Sequence, residues 1–221
     1  MTLPDDSQRM LMIGRTGSGK TQFSVAALSH RSYDRMPWVI LNFKDDDLIG
    51  DIPAIHLDDM KLPNKRNFKP GIYIARPELD DPRLEALLAD IWGRTHVGTY
   101  IDEGLPVSQP RSRGLRRLLT QGRSRKCPLQ INTQRPVDLD RYAFSESEFI
   151  GVMELTDDRE AEKVKDIAGL DLDMSILPKY HAYWFDRGKR KLTIVRPVPD
   201  ANTIIDTFYA RSPLTKRSYI I

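Results

Sequence analysis

Apolar residues fall into short, nearly continuous runs separated by segments of helical period. Met10-Leu11-Met12-Ile13, Trp38 to Phe43, Gly71 to Ala75, Val97 to Glu103, Leu129 to Pro136 and Phe149 to Leu155 each have strand length. Runs of this kind are expected where a sheet is covered on both faces. Gln22 to His30 reads as a helix, and so does the stretch opened by Asp80-Asp81-Pro82, where acids and proline suit a first turn. Within it Leu84, Leu87, Leu88, Ile91 and Trp92 recur at helical spacing. Asp138 to Glu148 and Asp157 to Ala168 read as further helices, the second closed by Gly169. Strands alternating with helices predict an α/β fold with a mostly parallel central sheet flanked by helices.

The ends of the chain follow a different pattern. Tyr180 to Phe185 and Leu192 to Val195 flank the polar Asp186-Arg187-Gly188-Lys189-Arg190-Lys191, which predicts a C-terminal β-hairpin with a basic tip. Met1 to Gln8 reads as a polar leader, Leu48 to Pro70 as irregular, and Ser212 to Ile221 as a basic tail ending in apolar residues. The expected organisation is one domain over 1–221, with a core of about 10–155 and a C-terminal helix, hairpin and tail over 156–221.

Chemistry enters first at Gly14-Arg15-Thr16-Gly17-Ser18-Gly19-Lys20-Thr21, a full match to G-x-x-x-x-G-K-[ST] between a strand and a helix. Glycines at 17 and 19 permit backbone angles that turn successive N–H groups toward phosphate oxygens. The helix N-terminus adds partial positive charge. In this motif Lys20 reaches the β- and γ-phosphates and the Thr21 hydroxyl holds Mg²⁺. The chain is therefore expected to bind a nucleoside triphosphate.

The strand Val97 to Ile101 ends in Asp102-Glu103. A phosphate loop needs a carboxylate for the metal and a group that orients the attacking water. Asp102 suits the first role and Glu103 the second. Leu129 to Thr133 ends in Gln134-Arg135-Pro136; beside the phosphate-loop strand, Gln134 would reach the γ-phosphate or its water. Arg111 to Lys126 is basic, with Arg111, Arg113, Arg116, Arg117, Arg123, Arg125 and Lys126 and no acid, and with Leu115, Leu118 and Leu119 on one apolar face. Three readings of that segment stand together: a solvated helix face, a contact for nucleic-acid phosphates, or an arginine finger offered to a neighbour's nucleotide.

Composition narrows this little. The 221 residues carry a net charge of +3, too mild on its own to imply a nucleic-acid partner. Cys127 is the lone cysteine, which excludes an internal disulfide framework. No apolar run is long enough to span a bilayer and no secretory signal opens the chain. His30, His56, His96 and His181 are scattered without metal-ligand spacing.

Taken together, Gly14 to Thr21, Tyr100-Ile101-Asp102-Glu103, Gln121-Gly122-Arg123 and Ile131-Asn132-Thr133-Gln134-Arg135-Pro136 resemble the FtsK–HerA superfamily of P-loop ATPases. Within it the chain is most similar to the genome-packaging ATPases of tectivirus-like, membrane-containing viruses. The resemblance covers about Met10 to Pro136. It implies a RecA-like fold of the additional-strand, catalytic-glutamate kind, a ring that is usually hexameric, and ATP-driven translocation of double-stranded DNA. By position it implies Lys20, Glu103, Arg123 and Gln134 as catalytic, Gly14 to Thr21 as the ATP cradle, and Thr21 and Asp102 at Mg²⁺. Arg123 would act across a subunit boundary, and Arg111, Arg113, Arg116, Arg117, Lys189 and Arg190 are candidates for DNA contact. A portal or vertex virion protein would be a further partner, in the host cytoplasm and at the packaging vertex.

Rival readings are a plasmid or conjugative translocase of the same superfamily, a small nucleotide kinase, a GTPase and a non-catalytic binding module. The GTPase pieces, Asp47-Leu48-Ile49-Gly50 and Asn64-Lys65, come too early and have Asn67 where an aspartate is needed. A kinase would need an acceptor pocket and a mobile arginine lid. Intact Lys20, Asp102 and Glu103 argue against a module that has lost hydrolysis.

Overall fold

The computed structural model describes residues 1–104, 106 and 112–214. Its nine strands form one sheet: β1 (Met10–Ile13), β2 (Pro37–Leu41), β3 (Ile55–His56), β4 (Gly71–Ala75), β5 (Gly98–Ile101), β6 (Leu129–Thr133), β7 (Phe149–Val152), β8 (Ala182–Asp186) and β9 (Lys191–Val195). The order across the sheet is β3-β4-β2-β5-β6-β1-β7-β8-β9. All pairs from β3 to β7 are parallel, and β7-β8-β9 are antiparallel. The expected α/β fold with a C-terminal hairpin is therefore present. Moreover β6 lies between the phosphate-loop strand and the Asp102 strand, as the additional-strand class requires.

The helices are α1 (Lys20–Ser29), α2 (Asp47–Gly50), α3 (Leu84–Gly93), α4 (Arg113–Gln121), α5 (Arg141–Ser145), α6 (Asp158–Ala168) and α7 (Ala201–Arg211). One face of the sheet packs on α3 to α6 through residues such as Leu88, Ile91, Leu115, Leu118, Phe144 and Val164. Against the other face lie α1, α2 and α7, through Val25, Leu28, Ile49, Ile204 and Phe208. Both faces are covered, which explains why the parallel strands carry apolar runs rather than an alternating pattern.

Several boundaries differ from the sequence expectation, each for a local reason. β2 stops at Leu41 because the Asn42 side chain accepts from the Asp46 N–H at 3.0 Å and turns the chain. β5 and β6 end before their polar residues, so Asp102, Glu103 and Gln134 stand just past the strand ends. α3 starts at Leu84 rather than at Asp80: Asp80 has a left-handed φ of 62°, and the Asp81 side chain accepts from the Arg83 N–H at 2.9 Å. The helix expected over Asp138 to Glu148 shrinks to Arg141–Ser145, since Pro136 opens a separate 3₁₀ turn and Asp140 caps Tyr142. The hairpin strand expected from Tyr180 begins at Ala182. Helix α7 is absent from the sequence reading altogether. Its cap is Asp200, accepting from the Thr203 N–H at 3.0 Å, and its Arg211 side chain donates to the Ser29 and Arg31 carbonyls behind α1.

A buried polar network fastens the elements that carry the motifs. Ser24, one turn beyond Lys20, donates its hydroxyl to Asn132 Oδ1 at 2.6 Å. Asn132 Nδ2 in turn donates to the Tyr100 hydroxyl at 2.8 Å, and Gln130 Nε2 donates to the Ser24 carbonyl at 2.7 Å. Ser24, Tyr100, Gln130 and Asn132 are all fully buried. Truncating Asn132 leaves Ser24 and Tyr100 without that partner, at about 1–3 kcal/mol for each unsatisfied buried group. Asn132→Ala is thus expected to lower the unfolding free energy by about 3 kcal/mol in urea denaturation, whereas a change below about 0.5 kcal/mol would mean the network is not a fastening.

Candidate functional site

The C-terminal ends of β1, β2, β5 and β6 meet at one edge of the sheet, where open α/β folds place their ligands. β1 runs straight into the phosphate loop: the Gly14 N–H donates to Thr133 O at 3.2 Å and the Arg15 N–H to Glu154 O at 2.8 Å. The loop turns at Gly17 and Gly19, with φ of 78° and 90°, in the left-handed region that glycine adopts without strain. Ser18 is buried, and its hydroxyl has no hydrogen-bond partner among the described residues. Lys20 opens α1 and is only 4% exposed. Burial, and next the neighbouring Lys44, hold its ammonium below the ordinary lysine pKa, while Glu103, Asp102 and Asp46 oppose them.

Asp102 is fully buried, fixed by its N–H to Leu41 O at 3.1 Å. Neither of its carboxylate oxygens has a hydrogen-bond partner among the described residues. Burial pushes its pKa above the ordinary carboxylate value, against the pull of Lys44 and Lys20. Two carboxylate oxygens without a partner among the described residues, near Lys20 at the end of the loop, suit Mg²⁺, a hard cation that keeps much of its water and takes few protein carboxylates. Among the described residues no group of three or more His, Cys, Asp or Glu side chains is placed to hold a metal.

Glu103 faces the same cleft. Its Oε2 lies 2.8 Å from Lys44 Nζ, and its Oε1 accepts from the Gln134 N–H at 3.4 Å. Gln134 Oε1 accepts from the Thr16 hydroxyl at 2.7 Å, linking the end of β6 to the phosphate loop. The structure therefore brings together Gly14 to Thr21, Asp102, Glu103 and Gln134. Lys44, in the acidic turn after β2, is an addition that motif spacing does not reveal.

Two hollows flank the loop. A cavity of about 510 Å³ lies over Gly17, Gly19, Gln22 and Phe23 and is walled by Met153, Tyr180, Pro197 and Val198. Its size and a lining that mixes polar groups with Met153, Tyr180, Pro197 and Val198 suit a nucleobase beside the phosphate site. A second, of about 450 Å³, opens past Thr16 and Gln134 toward Arg15, Arg135, Arg159 and Glu160.

Arg123 lies elsewhere. It begins the 3₁₀ turn that precedes β6, at the opposite edge of the sheet from Gln134, which follows β6. Five strand residues at about 3.3 Å each put roughly 17 Å between those ends. Arg125 donates to Gly93 O at 3.0 Å and stacks on Trp92 at 4.5 Å, Arg117 covers Trp92 at 4.8 Å, and Arg116 pairs with Asp140 at 3.0 Å. Arg123 and Arg113 are exposed and make no ion pair or ring contact among the described residues. The hairpin tip shares the Arg123 edge, because Asp186 at the end of β8 pairs with Phe149 at the start of β7. There Lys189 is held by Asp186 at 3.4 Å and by the Thr2 hydroxyl at 2.8 Å, while Arg190 is exposed. Arg111 lies outside the described residues.

No protein-family model matches the chain. The DNA packaging ATPase P9 of Enterobacteria phage PRD1 is 38% identical over 217 residues, covering 93% of this chain and 94% of that protein. The chain belongs to the family of viral DNA-packaging ATPases. Solved structures agree in fold. The genome packaging NTPase B204 of Sulfolobus turreted icosahedral virus 2, in its sulfate complex, superposes with a TM-score of 0.70 at 16% identity, over 90% of this chain and all of that one. EssC of Geobacillus thermodenitrificans superposes with a TM-score of 0.61 at 10% identity, over 96% of this chain and 45% of that one. Structures of B204 have been solved with AMP, AMPPCP and ATP-γS. No helix of this packaging ATPase, among the described residues, is long and apolar enough to cross a membrane.

The Asp102 carboxylate, without a hydrogen-bond partner among the described residues, implies a conflict between function and stability. Because its folded pKa is raised, the native state holds more protons than the unfolded chain just above the ordinary aspartate range, so stability falls as pH rises through that window. In EDTA, Asp102→Asn is expected to raise the Tm at neutral pH, with the gain shrinking as pH drops below that range. Thermal scans at two pH values decide this, and a variant no more stable than wild type at pH 7 would contradict it.

Proposed function

We propose that this packaging ATPase hydrolyses ATP to drive double-stranded DNA into a viral particle, as a subunit of a homo-oligomeric ring. The observation that carries the reading is the convergence of Lys20, Asp102, Glu103 and Gln134 on one sheet edge around a phosphate loop. Lys20 and the N–H groups of Gly14 to Thr21 hold the β- and γ-phosphates. Thr21 and Asp102 hold Mg²⁺, which supplies charge neutralisation on the phosphates. Glu103 takes the proton of the attacking water. Gln134, tied to Thr16, reports whether a γ-phosphate is in place. Met153, Tyr180 and Val198 enclose the base.

Arg123, exposed and at the far edge, supports a site completed by a neighbouring subunit. A head-to-tail arrangement whose rotation closes makes a ring, and a ring of six subunits is our reading. Arg113, Arg116, Arg117, Lys189 and Arg190, with Arg111, are our candidates for DNA backbone contact. The side chains of Arg116 and Lys189 are 54% and 59% exposed, so the N–H donors left over by their pairs with Asp140 and Asp186 can still face a phosphate. Such a motor would work in the host cytoplasm and at the packaging vertex, against a portal or vertex protein. The similarity to P9 favours packaging over conjugative transfer or a nucleotide kinase.

Hydrolysis of Mg·ATP is expected to rise on addition of long linear duplex DNA, with the stimulation lost steeply as salt increases. Glu103→Gln should bind ATP yet hydrolyse it about 10²–10⁴-fold more slowly. A rate indifferent to DNA, with phosphate passed to a nucleotide acceptor, would sink the motor reading.

A further inference from the structure

A hollow of about 490 Å³ lies at the edge of the sheet that carries Arg123, between the starts of β2, β4 and β5. Arg35, Lys65, Phe68, Arg94 and His96 line it, and none of its described lining residues is acidic. Arg94 is a fixed wall: it holds Asp90 through Nε at 2.9 Å and Nη2 at 2.8 Å, and it covers the Phe68 ring at 4.9 Å. Lys65 and His96 are exposed and make no ion pair among the described residues. The Arg35 side chain is 77% exposed and stands 3.9 Å from Asp6, a long and open pair that leaves its charge available. The hollow is tied to the Arg123 turn, since the His96 N–H donates to Arg125 O at 3.1 Å and Arg125 Nη2 to Gly93 O at 3.0 Å.

The opposite edge of the same strands is acidic. Leu41 ends β2 and leads through Asp45 to Asp47, the first residue of α2, while Asp58 follows β3 by two residues. Asp47 and Asp58 are exposed and make no ion pair among the described residues. Thus β2 starts at a basic hollow and ends at an acidic turn, whereas β6 starts after Arg123 and ends at Gln134 beside the phosphate loop. Only β5 separates these two strands, so on both edges the paired features lie two strand spacings apart, roughly 10 Å. A neighbour stacked along the strand direction with its Arg123 at this subunit's phosphate loop therefore brings its hollow over this subunit's acidic turn. We propose that the hollow is a socket for a second copy of this chain, with Arg35 and Lys65 of one subunit facing Asp47 and Asp58 of the next. This rests on the ring reading, in which Arg123 completes a neighbour's site, and adds the surface that fixes its register. Charges so placed steer encounter and penalise wrong alignments more than they add affinity. The shared offset favours a second copy over a nucleic-acid phosphate, which would leave that offset unexplained.

Charge reversal in trans tests the socket. Arg35→Glu/Lys65→Glu reverses the hollow and Asp47→Lys/Asp58→Lys reverses the turn. Each protein and their equimolar mixture are sized by sedimentation velocity with Mg·AMPPCP at low salt. Each alone should need a concentration about tenfold or more above that of wild type to assemble, because like charges meet at every junction. The mixture should regain wild-type assembly, since an alternating ring pairs reversed hollow with reversed turn and native with native. A chain carrying all four substitutions should regain it by itself. Lys65→Glu and Asp58→Lys, single changes at exposed loop positions, serve in the same scheme if either pair disrupts folding. Reversal variants that assemble like wild type, or a mixture of folded variants no better than its components, would overturn the proposal. Unchanged assembly with weakened binding of a labelled duplex would assign the hollow to nucleic acid instead. Failure of the underlying reading has its own signature: wild type would stay monomeric at every concentration, refuting ring and socket together.

Discussion

The geometry of the site depends on a set of hydrogen bonds that never touches nucleotide. Ser24, Asn132, Tyr100 and Gln130 join α1 to β6 and β6 to β5 in a region closed to water. In such surroundings each bond is stronger than at the surface, and each unpaired group is correspondingly costly. The three elements joined are those that carry Lys20, Gln134 and Asp102. Relative movement of any one would break a buried bond, so the phosphate loop, Asp102 and Gln134 are held in a common frame. That frame forms only because β6 is inserted between β1 and β5.

On this frame the fold concentrates charge at one edge and leaves it incompletely balanced. Lys20 is buried with its ammonium destabilised, and Asp102 is buried with two oxygens that have no hydrogen-bond partner among the described residues. Neither arrangement favours the empty protein; both favour phosphate and a divalent cation, which supply the missing partners. The Lys44–Glu103 pair is the one direct ion pair inside this group among the described residues. Arg123, by contrast, projects from the other edge of the sheet, the length of β6 away from Gln134. Under the proposed function, a chain built this way would carry both halves of a reaction centre and join them through a neighbour.

Much of this was legible in the sequence because it is local. The demands on Gly17 and Gly19 come from two backbone angles, and the strand ends carrying Asp102, Glu103 and Gln134 follow from apolar runs meeting polar residues. Gly169, at φ 69°, ends α6 where the periodicity stops. The illegible parts depend on chain segments brought together from afar. Nothing near Lys44 or Glu103 announces their contact, which arises from the register of β2 against β5. Asn132 reads as one more strand residue until Ser24 and Tyr100 are placed beside it. Helix α7 was missed although Asp200 and Thr203 form a capping pair and Ile204 and Phe208 lie one turn apart. The preceding Pro197 and Pro199 hid it, since they mark a loop more loudly than a short amphipathic helix marks itself.

The central claim is that ATP is hydrolysed by residues of two subunits, and complementation between inactive variants tests it most directly. Arg123→Ala keeps Lys20, Asp102 and Glu103 but offers no arginine; Glu103→Gln offers the arginine but lacks the base. Each protein alone should hydrolyse ATP at a small fraction of the wild-type rate, and an equimolar mixture should recover activity at the boundaries where the two meet. A mixture no more active than its components, or an Arg123→Ala protein that is fully active alone, would contradict the account.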